Sequence, residues 1–384
     1  MKHGTIIVAG SIAQRPGCGG HAWVFLQYLL GFRRLGFDVL FLDRLDAAMC
    51  RDAAGQPCAA ADSANVRWLA NVLGDVAWSL NCGGQTFGMP RARVLEKTRE
   101  SVLLLNVMGF LDDGEILAAA PRRAFLDIDP GFGQMWHALG LADIFAGHDA
   151  FVTIGENIGQ PDCTVPACGL DWISTPQPVV LEKWPVRNGA SCTAFTTVAS
   201  WRGPFAPVEF AGRTYGLRVH EWRKFAALPN ATTQSFQIAM ELDAAESRDR
   251  ALLESNGWQL VDPHSVAGAI DDYREFVSGS RAEVMIAKNM YVATGSGWFS
   301  DRSICYLAAG KPVLAQDTGF PRNHPTGQGL LAFSTLEEAA EGVRAINADY
   351  AAHCRAAREI AESQFDSDKV LARLLAKLEA AARP

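Results

Sequence analysis

No run of ~18 uncharged apolar residues occurs along the chain, so no membrane-spanning helix is expected. Positive charge is also scarce. The 384 residues carry 35 Lys and Arg against 42 Asp and Glu, a formal net charge of −7. A nucleic-acid partner requires a basic face, so that class is set aside, although a local basic pocket for a phosphate is still compatible. No C-x-x-C spacing occurs among the nine cysteines, at 18, 50, 58, 82, 163, 168, 192, 305 and 354. This odd, scattered set reads as reduced thiols in a cytoplasmic protein. Cys163 and Cys168 flank a Pro-containing turn, but a zinc site there lacks further ligands. Met1-Lys2-His3-Gly4 leads straight into a strand-like run without a secretory pattern. Short internal repeats are absent as well.

What is present is globular: 49% of residues are hydrophobic and 20% charged. A chain of this length favours two domains over one core. Residues 5–9 form an apolar β-rich run. A loop at 11–20, an apolar helical segment at 21–35 closed by Gly36, and a buried strand at 37–42 follow. That is a βαβ pattern with a glycine-rich first connection. Residues 46–64 read as loop or weak helix, and further strands are expected at 102–108, 124–128 and 150–154. Prolines 166, 176, 178 and 185 then mark a crossing to a second domain within 163–188.

The second domain opens with a strand at 192–199. Helices follow at 218–228, 244–256 and 266–278, alternating with strands at 235–242, 257–261 and 282–287. The tail is helical at 336–347, 350–364 and 369–382, the first with Ser334 as cap and Glu337 three residues on. The expected division is 1–185, 186–365 and a closing helix at 366–384.

The sharpest local pattern is Gly295-Ser296-Gly297-Trp298-Phe299-Ser300-Asp301-Arg302-Ser303, then Ile304-Cys305-Tyr306-Leu307-Ala308-Ala309, then Gly310-Lys311-Pro312-Val313-Leu314-Ala315-Gln316-Asp317-Thr318-Gly319. A polar loop opens a short apolar helix, Gly310 closes it in the left-handed region, and a buried strand and second polar loop follow. Two polar loops at neighbouring strand ends are where open α/β sheets bind ligands. A helix N-terminus is a natural seat for a diphosphate.

These residues, with Gly327-Gln328-Gly329-Leu330-Leu331-Ala332-Phe333 and Gly17-Cys18-Gly19-Gly20-His21, resemble a glycosyltransferase of the GT-B fold. The C-terminal half is similar to the nucleotide-sugar lobe of family 1 and family 4 enzymes. The loop Gly17, Gly19, Gly20 is similar to that of MurG-like transferases. The resemblance implies an α/β fold of two Rossmann-like domains facing a central cleft, with the last helix crossing back to domain one. It implies a UDP- or dTDP-linked sugar as co-substrate on the second lobe, an acceptor on the first, and no further cofactor. One departure stands out. Many relatives carry a Glu where this chain has Cys305, and Asp301, one turn earlier, could substitute.

Glycosyl transfer needs a base, stabilisation of the leaving diphosphate and in-line positioning. His21, at a loop-to-helix junction, is the candidate base, which would favour single displacement with inversion. The plainer reading is a histidine that closes the turn. Asp127 and Asp129, before Pro130-Gly131, could orient His21, act as base or bind acceptor hydroxyls; a capping carboxylate is the alternative. Their Asp-x-Asp spelling matches a metal motif of other transferases, but three letters occur by chance and no metal is expected.

The resemblance places phosphate or base contacts at Ser200 and Arg202, with Arg223 and Lys224 as rivals. The base would dock on the loop at Lys288. Ser296, Gly297, Ser300, Asp301 and Arg302 would hold the donor at the helix start, and Gln316 and Asp317 the sugar hydroxyls. For the charged residues a solvated helix face is the plainer reading, and for Asp317 an ordinary turn.

The expected function is therefore metal-independent transfer of a sugar from a nucleotide diphosphate to an acceptor hydroxyl or similar group, with inversion if His21 is the base and retention through a front-face path open if it is not. The alternatives are a nucleotide-sugar 2-epimerase on the same fold and a GT-B-like protein that binds without turnover. A Rossmann oxidoreductase is disfavoured because the first loop lacks G-x-G-x-x-G spacing. Trp68, Trp78, Phe87 and Met89 suit a hydrophobic natural-product acceptor, though core packing explains them equally.

Overall fold

A computed structural model describes residues 3–187, 192–203 and 205–381. Two sheets dominate. The first holds β1 (Thr5–Gly10), β2 (Asp38–Leu45), β3 (Ala77–Cys82), β4 (Gln85–Gly88), β5 (Ser101–Val107), β6 (Arg123–Asp127), β7 (Ala150–Thr153) and β8 (Trp172–Ser174). Their order is β4-β3-β2-β1-β5-β6-β7-β8. All pairs are parallel except β3 with β4. Ile6, Ile7, Val8 and Ala9 of β1 are wholly buried, as expected of a central strand covered on both faces.

Next come β9 (Phe195–Ser200), a small antiparallel hairpin of β10 (Val208–Phe210) and β11 (Arg213–Tyr215), then β12 (Phe236–Glu241), β13 (Trp258–Val261), β14 (Ala282–Met285), β15 (Val313–Gln316) and β16 (Leu330–Phe333). The second sheet runs β13-β12-β9-β14-β15-β16, parallel throughout. Strand order reverses beside β1 in one sheet and beside β9 in the other. Each lobe therefore offers a ligand crevice at the carboxyl ends of its central strands.

The lobes meet directly. Trp23 of the first-lobe helix Gly19–Arg34 packs 5.1 Å from Trp184, which lies 6.1 Å from Tyr273. The indole Nε1 of Trp23 donates to the Ile270 carbonyl at 2.9 Å.

The last helix, Ser367–Ala381, returns to the first lobe. Arg34 pairs with Asp368 at 2.8 Å. A Cβ added at Gly31 would lie 2.5 Å from Leu371 Cδ1, so a glycine is needed for the two helices to approach. Ala382 of the expected helix lies outside the described residues, as does Asn188 of the expected crossing.

Three local expectations are corrected. Thr335, not Ser334, caps Leu336–Ala348, and Glu338 completes the capping box. The helix expected at 266–278 is two, Pro263–Ala267 and Ile270–Gly279, and the break presents the Ala269 carbonyl to the first lobe. The helix expected at 218–228 shortens to Arg218–Trp222, followed by a tighter turn.

Candidate active site between the lobes

The second lobe contributes two loops. After β14 the chain forms the helix Asn289–Thr294, then a turn with Gly295 and Gly297 at φ 60° and 74°. The helix Asp301–Ala308 follows. Ser300 caps it by accepting from the Arg302 amide at 3.2 Å. Ser296 is buried, and its hydroxyl accepts from the Trp298 amide at 3.3 Å. After β15, Asp317 accepts from the Gly319 amide at 2.6 Å, the turn geometry that its spacing suggests.

Asn157, which the sequence reading passed over, joins these loops to the first lobe. Its amide nitrogen donates to the Gly295 and Gly319 carbonyls at 3.0 and 3.1 Å, and its oxygen accepts from Asn323 at 2.9 Å. A Cβ on Gly297 would lie 2.7 Å from Asn157, and one on Gly319 2.5 Å. Neighbouring Glu156 lies 2.6 Å from the buried His324.

A cationic pair lies deeper. Lys288 is 8% exposed, and its ammonium donates to Asp129 at 2.5 Å. It also stands 5.3 to 5.6 Å from the rings of Phe132, Phe205 and Tyr291. Burial lowers its pKa, opposed by Asp129. The second oxygen of Asp129 accepts from the Tyr291 hydroxyl, and the Tyr291 ring stacks on Trp298 at 4.3 Å. Arg218 is also 8% exposed. One of its terminal nitrogens donates to the Ser200 carbonyl at 3.1 Å, while its buried Nε has no partner. Burial and the nearby Arg302 bring its pKa down to about 10. An orphaned guanidinium donor is costly. Nothing local in the sequence distinguishes Arg218 from a surface helix charge.

Several expected donor contacts are engaged elsewhere. Arg302 is buried against Glu283 at 2.5 Å and donates to the Val198 carbonyl at 2.7 Å. It braces the sheet, and both its acceptors lie inside the lobe. Arg202 pairs with Glu246 with its side chain 49% exposed, and Lys224 pairs with Glu221 at 59% exposure. Both follow the solvated-charge reading. Arg223 grips Asp249 with two bonds of 2.9 Å. Gln316 donates to the buried Glu221 at 2.7 Å and accepts from the Ala287 amide at 3.1 Å. That ties the end of β15 to Glu221 and to the segment after β14. Ser200 contributes its carbonyl to Arg218 rather than a hydroxyl.

The first-lobe carboxylates divide in role. Asp127 is 2% exposed and accepts from Gln134 at 2.6 Å, Thr153 at 2.8 Å and the Asp129 amide at 3.1 Å. Desolvation raises its pKa to about 6 despite these donors. With its oxygens so committed, it anchors the loop that presents Asp129.

His21 lies in the first turn of Gly19–Arg34, edge-on to Phe25 at 5.2 Å. Its Nε2 is 3.0 Å from the Ser11 carbonyl. A carbonyl only accepts, so Nε2 carries the proton and Nδ1 holds the lone pair. Desolvation lowers its pKa to about 4, leaving it neutral near pH 7. Of the three glycines, Gly17 supplies a positive φ of 74°. A Cβ on Gly19 would lie 2.3 Å from the Ala269 carbonyl, and one on Gly20 2.8 Å from the Tyr273 ring. The close approach expected of a ligand is made here by the second lobe.

Cys305 and Asp301 line a void of about 10 Å³ between the lobes, with Trp23, Gln27, Gln177 and Tyr273. Gln27 Nε2 lies 3.7 Å from the Cys305 sulfur, and burial raises the pKa of Asp301. A larger cavity of about 130 Å³ opens in the first lobe at the carboxyl ends of β2 and β3. Leu42, Val94, Leu111 and Ile116 form its apolar wall, and the charged Asp43, Arg44, Arg91, Asp112 and Asp113 line the rest with Ser79, Asn81 and Thr86. Among the described residues, no group of three or more His, Cys, Asp and Glu is placed to hold a metal ion. None of their helices is long and apolar enough to cross a membrane. All nine cysteines are free thiols.

No protein-family model matches the chain, and no curated protein matches it in sequence. Solved structures do match. Anabaena HepE in complex with UDP-glucose superposes with a TM-score of 0.59 at 13% identity, covering 98% of this chain and 100% of its own. Sucrose-phosphate synthase of Thermosynechococcus elongatus gives 0.54 at 12%, covering 99% and 100%. An α-glucosyltransferase in complex with UDP and a 13-mer DNA gives 0.58 at 11%, covering 99% and 100%. Two predominantly parallel sheets, their crevices, the returning helix and these end-to-end superpositions establish that the chain has the GT-B fold.

Proposed function

We propose that this protein is a glycosyltransferase that moves a sugar from a UDP- or dTDP-linked donor to an acceptor hydroxyl. One observation carries the reading: two buried cations, Lys288 and Arg218, stand at the carboxyl ends of the second lobe's central strands, and the Arg218 Nε has no partner. Two cations in a low-dielectric crevice suit a diphosphate and the charge that builds on it as the glycosidic bond breaks. Supporting this, structures with the same fold hold UDP or UDP-glucose.

In this reading the diphosphate lies between Lys288 and Arg218, with the loop at 296–300 closing over it. The sugar faces Asp317, whose carboxylate accepts from a hydroxyl. The acceptor occupies the first lobe, with its apolar portion in the cavity of about 130 Å³. His21 takes the acceptor proton at Nδ1 as the hydroxyl oxygen attacks the anomeric carbon. The diphosphate leaves with the bonding electrons, and configuration inverts. Lys288 and Arg218 supply the charge that a metal ion gives in other transferases, so no metal is required. The free thiols fit the cytoplasm.

The test measures nucleotide release from UDP-glucose and dTDP-glucose, with and without a panel of hydroxylated apolar acceptors, in the presence of EDTA. Release of UDP or dTDP only when acceptor is present is the expected result. Isomerised sugar nucleotide without acceptor would replace this reading by the epimerase, and binding without release by a non-catalytic protein.

A further inference from the structure

The centre of the crevice is occupied by a side chain. Asp129, on the loop after β6 of the first lobe, places one oxygen 2.5 Å from Lys288 Nζ and gives the other to the Tyr291 hydroxyl. Both partners belong to the second lobe. The loop is held from behind: the Asp129 amide donates to Asp127, and Gly131, at φ 108°, passes so close to Met290 that a Cβ would lie 2.6 Å from its sulfur. We infer that Asp129 is an internal counter-anion, which holds the seat of the donor diphosphate in the empty enzyme and is expelled when the donor binds. This rests on the glycosyltransferase reading and adds a competition between one of the protein's own carboxylates and its substrate.

A buried ammonium without an anion is strongly disfavoured, so an enzyme that keeps Lys288 dry needs a resident partner when the substrate is away. Asp129 fills that need incompletely, because its two oxygens serve Lys288 and Tyr291 while the Arg218 Nε stays unpartnered. A diphosphate brings enough oxygens for both Lys288 and the Arg218 Nε. Finally, a carboxylate and a diphosphate cannot share a dry seat, since like charges at contact repel. Donor entry must therefore break the Asp129 bonds, and these bonds cross between the lobes. Donor binding and the loosening of the crevice at this point become one event.

The test compares Asp129→Asn with the unaltered protein. Asp162→Asn is the control, because Asp162 pairs with Arg322 across the same interface at an exposed position. Affinities for UDP and for inorganic pyrophosphate are measured by calorimetry. Asp129→Asn is expected to bind both at least ~10-fold more tightly, and Asp162→Asn to bind them unchanged. Tyr291→Phe, which removes one of the two bonds and leaves Lys288 in place, is expected to shift UDP affinity in the same direction by about threefold. It keeps the question answerable if Asp129→Asn does not fold. Equal or weaker UDP binding by folded Asp129→Asn, with UDP bound by the unaltered protein, would overturn the latch and leave the transferase reading standing. Failure of every form to bind UDP, dTDP or pyrophosphate would remove both.

Discussion

Asn157 Nδ2 lies 3.0 Å from the Gly295 carbonyl and 3.1 Å from that of Gly319. One first-lobe amide thus ties the two loops expected to enclose the donor sugar. Asn157→Ala removes three hydrogen bonds and opens space between Gly297 and Gly319. At about 1 kcal/mol per net bond, a loss of roughly 2–4 kcal/mol is expected. Turnover should fall at least ~10-fold. Thermal unfolding and steady-state kinetics check this, and unchanged turnover would show the hook to be irrelevant to closure.

Gly19→Ala addresses the same interface from the other side. The new Cβ would meet the Ala269 carbonyl, a backbone atom that cannot turn away. The lobes are expected to stand further apart, with a larger radius of gyration by X-ray scattering and strongly reduced transfer. The first lobe's own packing should survive. A variant with normal scattering and normal rate would contradict the view that this glycine serves lobe contact.

His21→Ala should cut turnover by at least ~100-fold while leaving UDP affinity unchanged. The pH profile gives a second check. Desolvation holds the His21 pKa near about 4, below the ordinary value, so the acid limb of the rate should lie well below pH 6. Stability follows the same shift. The unfolded chain takes up a proton near pH 6.5 that the folded chain refuses until about 4, so His21 makes stability fall as pH drops through that window. An acid limb at the ordinary histidine pKa would separate His21 from the base role.

Arg302→Met is a stability variant. It leaves the Glu283 carboxylate buried without its partner, at a cost of about 3–5 kcal/mol. Calorimetric unfolding should show this, while the folded fraction binds UDP as before. Loss of UDP binding without loss of stability would return Arg302 to the donor site.

The fold was legible because its central strands are unbroken apolar runs. Residues such as Ile6, Ile7 and Val8 have no alternative to a doubly covered sheet. Peripheral elements left weaker traces: β3, next to the edge strand and carrying Ser79 and Asn81, and the β10–β11 hairpin lack the pattern of a buried strand. The helix at 301–308 was readable from the Ser300 cap and Gly310. Side-chain assignments fared differently. Arg302, Gln316 and Asp127 are polar residues at strand or helix ends, where sequence alone cannot separate a ligand contact from a brace. Their partners, Glu283, Glu221 and Gln134, lie on other segments or point where only the fold directs them. Arg218 and Asn157 were overlooked for the same reason, since each acquires meaning from residues distant along the chain.

The returning helix has a consequence for biosynthesis. Arg34 and Asp368 are 334 residues apart, so the face around Gly31 has no cover while the second lobe is being made. At about 5–20 residues per second, that interval is on the order of tens of seconds. A nascent first lobe would offer a bare apolar stripe to chaperones throughout, and it reaches its final form only after the polypeptide's later half has been synthesised.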